Sequence, residues 1–268
     1  MMPLPGRLVL LGHPVAHSLS PRFQTAALHA AGIALEYEAM DVLPAELARV
    51  AALLREAGAA GNVTVPHKEA FAACCNRLSP VAQRVGAVNT FWTEEGDLVG
   101  DNTDVGGFDT AVRNTVGVPS APFTVAVLGA GGAASAVLAA VERWDGATAR
   151  VWARTMARAE RLVERYGRMA RTEWSVQGAL AGAALVVNTT PVGIDGPAMP
   201  VDPALIDSSA RVFDVAYRRG ETPWVLACRA RGLRASDGLP MLVEQGGMAF
   251  ERWFGTPPDR TVMLEACR

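Results

Sequence analysis

Of the 25 basic residues in this chain, 24 are arginine and one, Lys68, is lysine. An ammonium loses its proton near neutral pH when its surroundings shift its pKa, and a guanidinium does not. A site that needs proton transfer, or a compact donor, therefore resists replacement of its lysine by arginine. A surface lysine surviving by chance is the plainer reading, and the flanking residues count against it. Val63 and Val65 alternate with Asn62 and Thr64 as in a short strand. Pro66 then ends the strand, so that Lys68 opens a helix. A lysine at such a corner faces a cleft more readily than open solvent. Lys68 is thus the candidate catalytic centre.

Other polar side chains stand at similar corners. Ser18 and Ser20 fall in Gly12-His-Pro-Val-Ala-His-Ser-Leu-Ser-Pro21, between a strand and a helix N-terminus, with Ser20 placed to cap that helix. Open α/β sheets bind polar ligands at such places; for either serine alone, capping and turning the chain is the simpler role. His13 and His17 lie in the same loop without an acidic companion, so no metal site is expected. Further on, Asp101-Asn-Thr-Asp104 forms a loop dense in short polar side chains that ends at Gly106-Gly107.

A second chemistry is carried by Gly129-Ala-Gly-Gly-Ala-Ala134, a G-x-G-x-x-A run between a strand and a helix. Gly129 makes the tight turn, Gly131 lets the backbone approach a pyrophosphate, and Ala134 permits close helix packing. Gly129, Ala130, Gly131, Gly132 and Ala133 are the candidate cofactor cradle. An NAD site would place an acid at the end of the next strand, about twenty residues on. Ala153-Arg154-Thr155 stands there instead, with Arg158 one turn later. A guanidinium matches a 2′-phosphate in charge and planar geometry, so NADP is the expected cofactor.

The elements that must position these groups alternate. Strands are expected over 7–12, 35–41 and 61–65, with helices over 21–31 and 44–57 between them. A hairpin follows, 90–93 and 98–100 about Glu95-Gly96-Asp97. Beyond it, strands are expected at 123–128, 148–153, 185–189, 211–215 and 233–236. The helices between them end near 143 or cover 157–166 and 223–230, and a last one runs over 241–254. Strands separated by helices mean an α/β fold with parallel pairing. Half of the 268 residues are apolar and 19% are charged, which guarantees a sizeable core. Formal charge is −2 and the arginines are scattered, which argues against nucleic acid. No apolar run approaches the roughly 20 residues of a membrane span, and residues 1–7 lack a signal-peptide layout, so a cytoplasmic protein is expected. Cys74, Cys75, Cys228 and Cys267 show no C-x-x-C spacing and read as buried free thiols.

With these residues laid out, the chain resembles the shikimate dehydrogenase family over nearly its full length. The likeness is carried by His17-Ser-Leu-Ser-Pro21, Asn62-Val-Thr-Val-Pro-His-Lys68, Gly86-Ala-Val-Asn-Thr90, Asn102-Thr-Asp104 and Gly129-Ala-Gly-Gly132. It continues through Arg154-Thr155, Asn188-Thr-Thr-Pro-Val-Gly193 and Gly238-Leu-Pro-Met-Leu-Val-Glu-Gln245. The resemblance implies two domains: a split substrate-binding α/β domain, 1–105 completed by 239–268, and a Rossmann-like NADP-binding domain, 106–238. It implies reversible NADPH-dependent reduction of 3-dehydroshikimate, with Lys68 as catalytic lysine and Asp104 as its partner carboxylate. Ser18, Ser20, Thr64, Asn89, Tyr217 and Gln245 match the groups that hold the small-molecule substrate. Arg154, Thr155, Arg158 and Thr190 match cofactor contacts, and Val215 and Gly238 match positions beside the nicotinamide.

Two departures stand out: Ala153 where the family often has Asn, and Phe23-Gln24-Thr25 where a His-Asn pair is common. The first weakens one ribose contact; the second falls where packing is expected to matter. The chemistry agrees with the resemblance. Reducing a ketone builds negative charge on oxygen, which a proton donor must meet; a carboxylate-oriented ammonium does this. Hinge closure on binding is also implied. A quinate or aminoshikimate dehydrogenase of the same group is one alternative, and a non-catalytic NADP-binding module is another. A homodimer is compatible with the sequence, which is silent on oligomeric state.

Overall fold

The computed structural model describes residues 4–268 and divides into two compact units. One is the segment ending at Gly107 together with Val243–Arg268; the other is Phe108–Leu242.

The first unit opens with β1 (Leu8–Gly12), α1 (Ser20–Ala30), β2 (Tyr37–Asp41), α2 (Leu47–Glu56), β3 (Ala60–Val63) and α3 (Lys68–Ala72). It continues with β4 (Arg77–Leu78), α4 (Pro80–Val85), β5 (Thr90–Glu94), β6 (Asp97–Asp101) and α5 (Asp104–Thr115), within which the chain passes into the second unit. Its six strands lie in the order β2-β1-β3-β5-β6-β4. β1 pairs in parallel with β2 and β3, whereas β5 runs antiparallel to both β3 and β6. The expected hairpin thus interrupts the parallel order. Glu95 and Gly96 both have positive φ, 54° and 85°, the turn that joins twisted antiparallel strands with two residues.

The second unit carries β7 (Phe123–Leu128), α6 (Gly132–Val141), β8 (Ala147–Trp152), α7 (Met156–Glu164), β9 (Ala170–Thr172), α8 (Val176–Leu180) and β10 (Leu185–Asn188). β11 (Arg211–Asp214), α9 (Pro223–Ala230) and β12 (Arg234–Ser236) complete its sheet, and α10 (Leu239–Phe254) returns the chain to the first unit, where α11 (Arg260–Ala266) ends it. The sheet order is β12-β11-β10-β7-β8-β9, every pairing parallel. Its central strands read as unbroken apolar runs because helices cover both faces. Val125, Val127, Val187 and Phe213 are fully buried. The expected α/β class holds for both units.

Three expectations need correction. The loop expected through Gly106-Gly107 is the first turn of α5. Glycine is there because α10 lies against it: a Cβ on Gly107 would stand 2.8 Å from the Gln245 backbone nitrogen, and one on Gly106 2.7 Å from Met248 Sδ. Ser20 does not cap α1; it begins the helix, and the Ser18 hydroxyl accepts from its N–H at 3.2 Å. Cys74 and Cys75 are half-buried rather than buried, whereas Cys228 and Cys267 are buried. The short elements β4, α4, β9, α8 and α11 add to those the sequence signalled. No helix among the described residues is long and apolar enough to cross a membrane.

Candidate active site

β1 and β3 are neighbours, so the loops leaving their C-terminal ends lie side by side. The His13 N–H donates to Val65 O at 3.1 Å, and the Thr64 N–H to Leu11 O at 2.8 Å. Gly12 makes room for this: a Cβ on it would stand 2.5 Å from Thr64 Cγ2. Ser18, Ser20 and Thr64 therefore come from neighbouring loops. The Ser20 and Thr64 side-chain hydroxyls have no hydrogen-bond partner among the described residues, which leaves them available to a ligand.

Lys68 opens α3, and Asp104 opens α5. Lys68 Nζ donates to Asp104 Oδ2 at 2.7 Å, with the carboxylate side chain 7% exposed and the lysine 20%. Asp104 is the ammonium's sole partner among the described residues, so two of its three N–H groups are uncommitted. Asn89, fully enclosed just before β5, fixes the acid. Its Nδ2 donates to Asp104 Oδ1 at 2.8 Å and to Gln245 Oε1 at 3.2 Å, while its Oδ1 accepts the Thr103 N–H at 2.7 Å. The Asn89 amide thus meets Asp104 and Gln245 within the protein.

A second tier supports the first. Asn62 Nδ2 donates to Thr90 Oγ1 at 3.0 Å, and the buried Tyr37 hydroxyl donates to Asn62 Oδ1 at 2.7 Å. Burial holds that phenol well above its ordinary pKa, so it stays a donor. Asp101 accepts from the Ser79 hydroxyl, from the Asn102 N–H at 2.7 Å and from Arg252 Nε at 2.9 Å, which ties the polar loop to α10. Gln24 Nε2 donates to Gly246 O at 2.9 Å, and a Cβ on Gly246 would stand 2.4 Å from the Phe23 ring. The departure at Phe23-Gln24 is therefore a packing feature beside Gln245. Thr90, Thr103 and Asp101 lie in stretches marked in the sequence, but none was given a role there. Buried polar residues flanking a hairpin are the signal that would have found them, because such groups persist only when paired.

The second unit holds the remaining candidates. Gly129 has φ +119°, and a Cβ there would stand 2.4 Å from Thr189 Oγ1. Gly131 faces open space, where a ligand's backbone-hugging group has room. Gly132 and Ala133 begin α6, whose Ala134 is fully buried against the sheet. Arg154, Thr155 and Arg158 are exposed at the start of α7, and neither guanidinium has a partner among the described residues. Two uncommitted cations beside a helix N-terminus and an open glycine turn fit a dinucleotide carrying a 2′-phosphate. Thr190, half-buried, follows β10, and its hydroxyl donates to Asn188 Oδ1 at 2.7 Å. Val215 and Gly238 are brought together: the Gly238 N–H donates to Ala216 O at 3.0 Å, and a Cβ on Gly238 would stand 2.0 Å from Val215 O. Tyr217 follows β11 and so belongs to this unit, while Lys68, Asp104 and the other five substrate candidates belong to the first.

The chain has counterparts among known proteins. Residues 10–91 match the shikimate dehydrogenase substrate binding domain, and residues 238–268 match the shikimate 5′-dehydrogenase C-terminal domain. Shikimate dehydrogenase (NADP(+)) of Mesorhizobium japonicum is 42% identical over 259 residues, covering 95% of this chain and 92% of its own. The crystal structure of shikimate 5-dehydrogenase from Thermus thermophilus, in complex with NADP(H) and shikimate, matches with a TM-score of 0.89 at 41% identity over 98% of both chains. Quinate dehydrogenase from Corynebacterium glutamicum in complex with NAD matches with a TM-score of 0.88 at 29% identity over 97% of both chains. An α/β frame with a lysine–carboxylate pair, a glycine-rich nucleotide turn and identity of this extent lead to one conclusion: the chain belongs to the shikimate dehydrogenase family.

Proposed function

We propose that this protein catalyses the reversible NADP-dependent interconversion of shikimate and 3-dehydroshikimate. The observation that carries the reading is the Lys68–Asp104 pair, 2.7 Å apart and mostly enclosed, in a chain 42% identical to a shikimate dehydrogenase. When bound, the nicotinamide supplies or accepts the hydride at the reacting carbon. Lys68 Nζ donates a proton to the oxygen as the ketone is reduced and takes it back as the alcohol is oxidised. Asp104 orients the ammonium and stabilises its charge, and Asn89 keeps the carboxylate from turning away. The hydroxyls of Ser18, Ser20 and Thr64 suit a carboxylated, polyhydroxylated ring, since buried hydroxyls need partners and reject analogues that lack them. Gln245 and Tyr217 complete the substrate set in this reading.

The guanidiniums of Arg154 and Arg158, without partners among the described residues, favour NADP over NAD, and Ser18 and Ser20 favour shikimate over quinate. The test is oxidation of shikimate with NADP, followed through the absorbance of the reduced nicotinamide, with quinate and NAD as parallel controls. Reduction with shikimate and NADP alone supports the reading. Folded protein that binds NADPH but turns over no pair would identify a non-catalytic binding module instead.

A further inference from the structure

The fully buried carboxylate of Asp214 lies at the end of β11, with no place in the proton-transfer chemistry. A charge so placed needs donors, and it has three. The Thr222 hydroxyl donates to Oδ2 at 2.7 Å; Asn188 Nδ2 and the Ala216 N–H donate to Oδ1 at 2.8 and 3.1 Å. The donors come from the end of β10 and from two points of the connection between β11 and α9, segments that border the proposed cofactor positions. Asn188 ends β10, and its Oδ1 accepts both the N–H and the hydroxyl of Thr190, at 3.0 and 2.7 Å. Ala216 lies between Val215 and Tyr217, and its carbonyl accepts the Gly238 N–H. Thr222 caps α9 by accepting the Val225 N–H.

From this convergence we infer that Asp214 is a positioning residue for the nicotinamide half of the cofactor, holding the loops after β10 and β11 through Asn188, Ala216 and Thr222, and the loop after β12 through the Ala216 carbonyl. The inference rests on the NADP-dependent reading above. All three partners donate, so only the ionised carboxylate satisfies them together. Burial pushes Asp214 up to about 6, against the lowering effect of its three donors and with a further rise from the negative charge of Asp237. The other titratable groups facing it are Asp237 itself, after β12, and Cys228 of α9, whose thiol burial pushes up to about 12 and so keeps neutral. Asp214 therefore changes charge near pH 6, within the range where the loops must hold the cofactor.

The experiment measures NADPH affinity by fluorescence titration between pH 5 and 8, in intact wild type and in Asp214→Asn, alongside thermal melting and shikimate kinetics. A carboxamide accepts at one atom only, so the variant is expected to bind NADPH about tenfold more weakly at neutral pH. The 2′-phosphate itself titrates at about 6, a contribution both proteins share; a difference between the two pH profiles isolates Asp214. Thr222→Val is expected to weaken NADPH in the same direction and Thr222→Ser to restore it; this pair decides the matter if Asp214→Asn does not fold. A folded Asp214→Asn with wild-type NADPH affinity and an unchanged pH profile would overturn the inference and leave the function standing. Wild type that binds no NADPH would instead remove the reading beneath it.

Discussion

Lys68 Nζ donates to one oxygen of Asp104 at 2.7 Å, and the other oxygen of the same carboxylate receives Asn89 Nδ2 at 2.8 Å. The acid is held from both sides, by a group free to transfer a proton and by one that only orients. The pair is built from the first residues of two helices separated by 36 positions in the chain.

Lys68→Ala is expected to lower kcat for shikimate oxidation by about 10²–10⁴-fold, the range for a positioned proton-transfer group. NADPH binding should be unaffected, since the lysine and the glycine turn belong to different units. Lys68→Arg should fail to restore turnover, because a guanidinium does not release its proton. Steady-state kinetics and NADPH titration of the three proteins check this; near-normal kcat in Lys68→Ala removes the role.

Asn89→Ala removes the Asn89 donor from Asp104 Oδ1 and the Asn89 acceptor from the Thr103 N–H. A buried group left unpaired costs about 1–3 kcal/mol. Lower stability in denaturant and a fall in kcat are expected together. Asn89→Asp is expected to be worse for turnover, since it sets a second carboxylate against Asp104.

Gly238→Ala places a methyl 2.0 Å from the Val215 carbonyl, a backbone atom that cannot swing aside. The loops after β11 and β12 must separate, at a cost of about 1–3 kcal/mol. The expected signature is a raised KM for NADP with the KM for shikimate less changed. Equal KM values in variant and wild type would show that these loops do not touch the cofactor.

Arg154→Ala should raise the KM for NADP by about tenfold or more while leaving that for NAD nearly unchanged, because the charge-assisted contact serves only the 2′-phosphate. Arg154→Ala with Arg158→Ala should extend the loss. The ratio of kcat/KM for the two cofactors reads this directly.

Stability should carry a sign set by Asp214. Its carboxyl rises from 3.8 to about 6 on folding, led by burial, so the folded state binds the proton more tightly than the unfolded state. This contribution is fully present below about pH 4 and is lost as pH rises through about 6; the rise corresponds to roughly 3 kcal/mol. Asp214→Asn, which carries no proton to lose, should abolish that component when denaturant unfolding is followed from pH 4 to 8.

The alternation of strands and helices, the nucleotide turn and the capped α9 were legible because each is a local pattern. Apolar period, the Gly129 turn and the Thr222-Pro223 start need only neighbouring residues to act. α4 was equally legible in principle, with Ser79 capping, Pro80 following and Gly86 at φ +72°, and it went unread only because the segment is short. α5 was not: Gly106-Gly107 reads as a turn, and only the approach of α10 makes glycine the residue that fits a helix there.

The same division runs through the site. The singular Lys68 and the basic Arg154 declare themselves by residue type, because proton transfer and phosphate recognition each demand a particular functional group. The family resemblance already paired Lys68 with Asp104; that Asn89 faces inward to Asp104 and Gln245, and that Asp214 ties the end of β10 to the loop after β11, were decided by tertiary structure alone. Asn89 and Gln245 are 156 residues apart and meet only because the chain leaves the first unit in α5 and comes back in α10. A hydrogen bond depends on distance and angle in space, and the linear order of residues fixes neither.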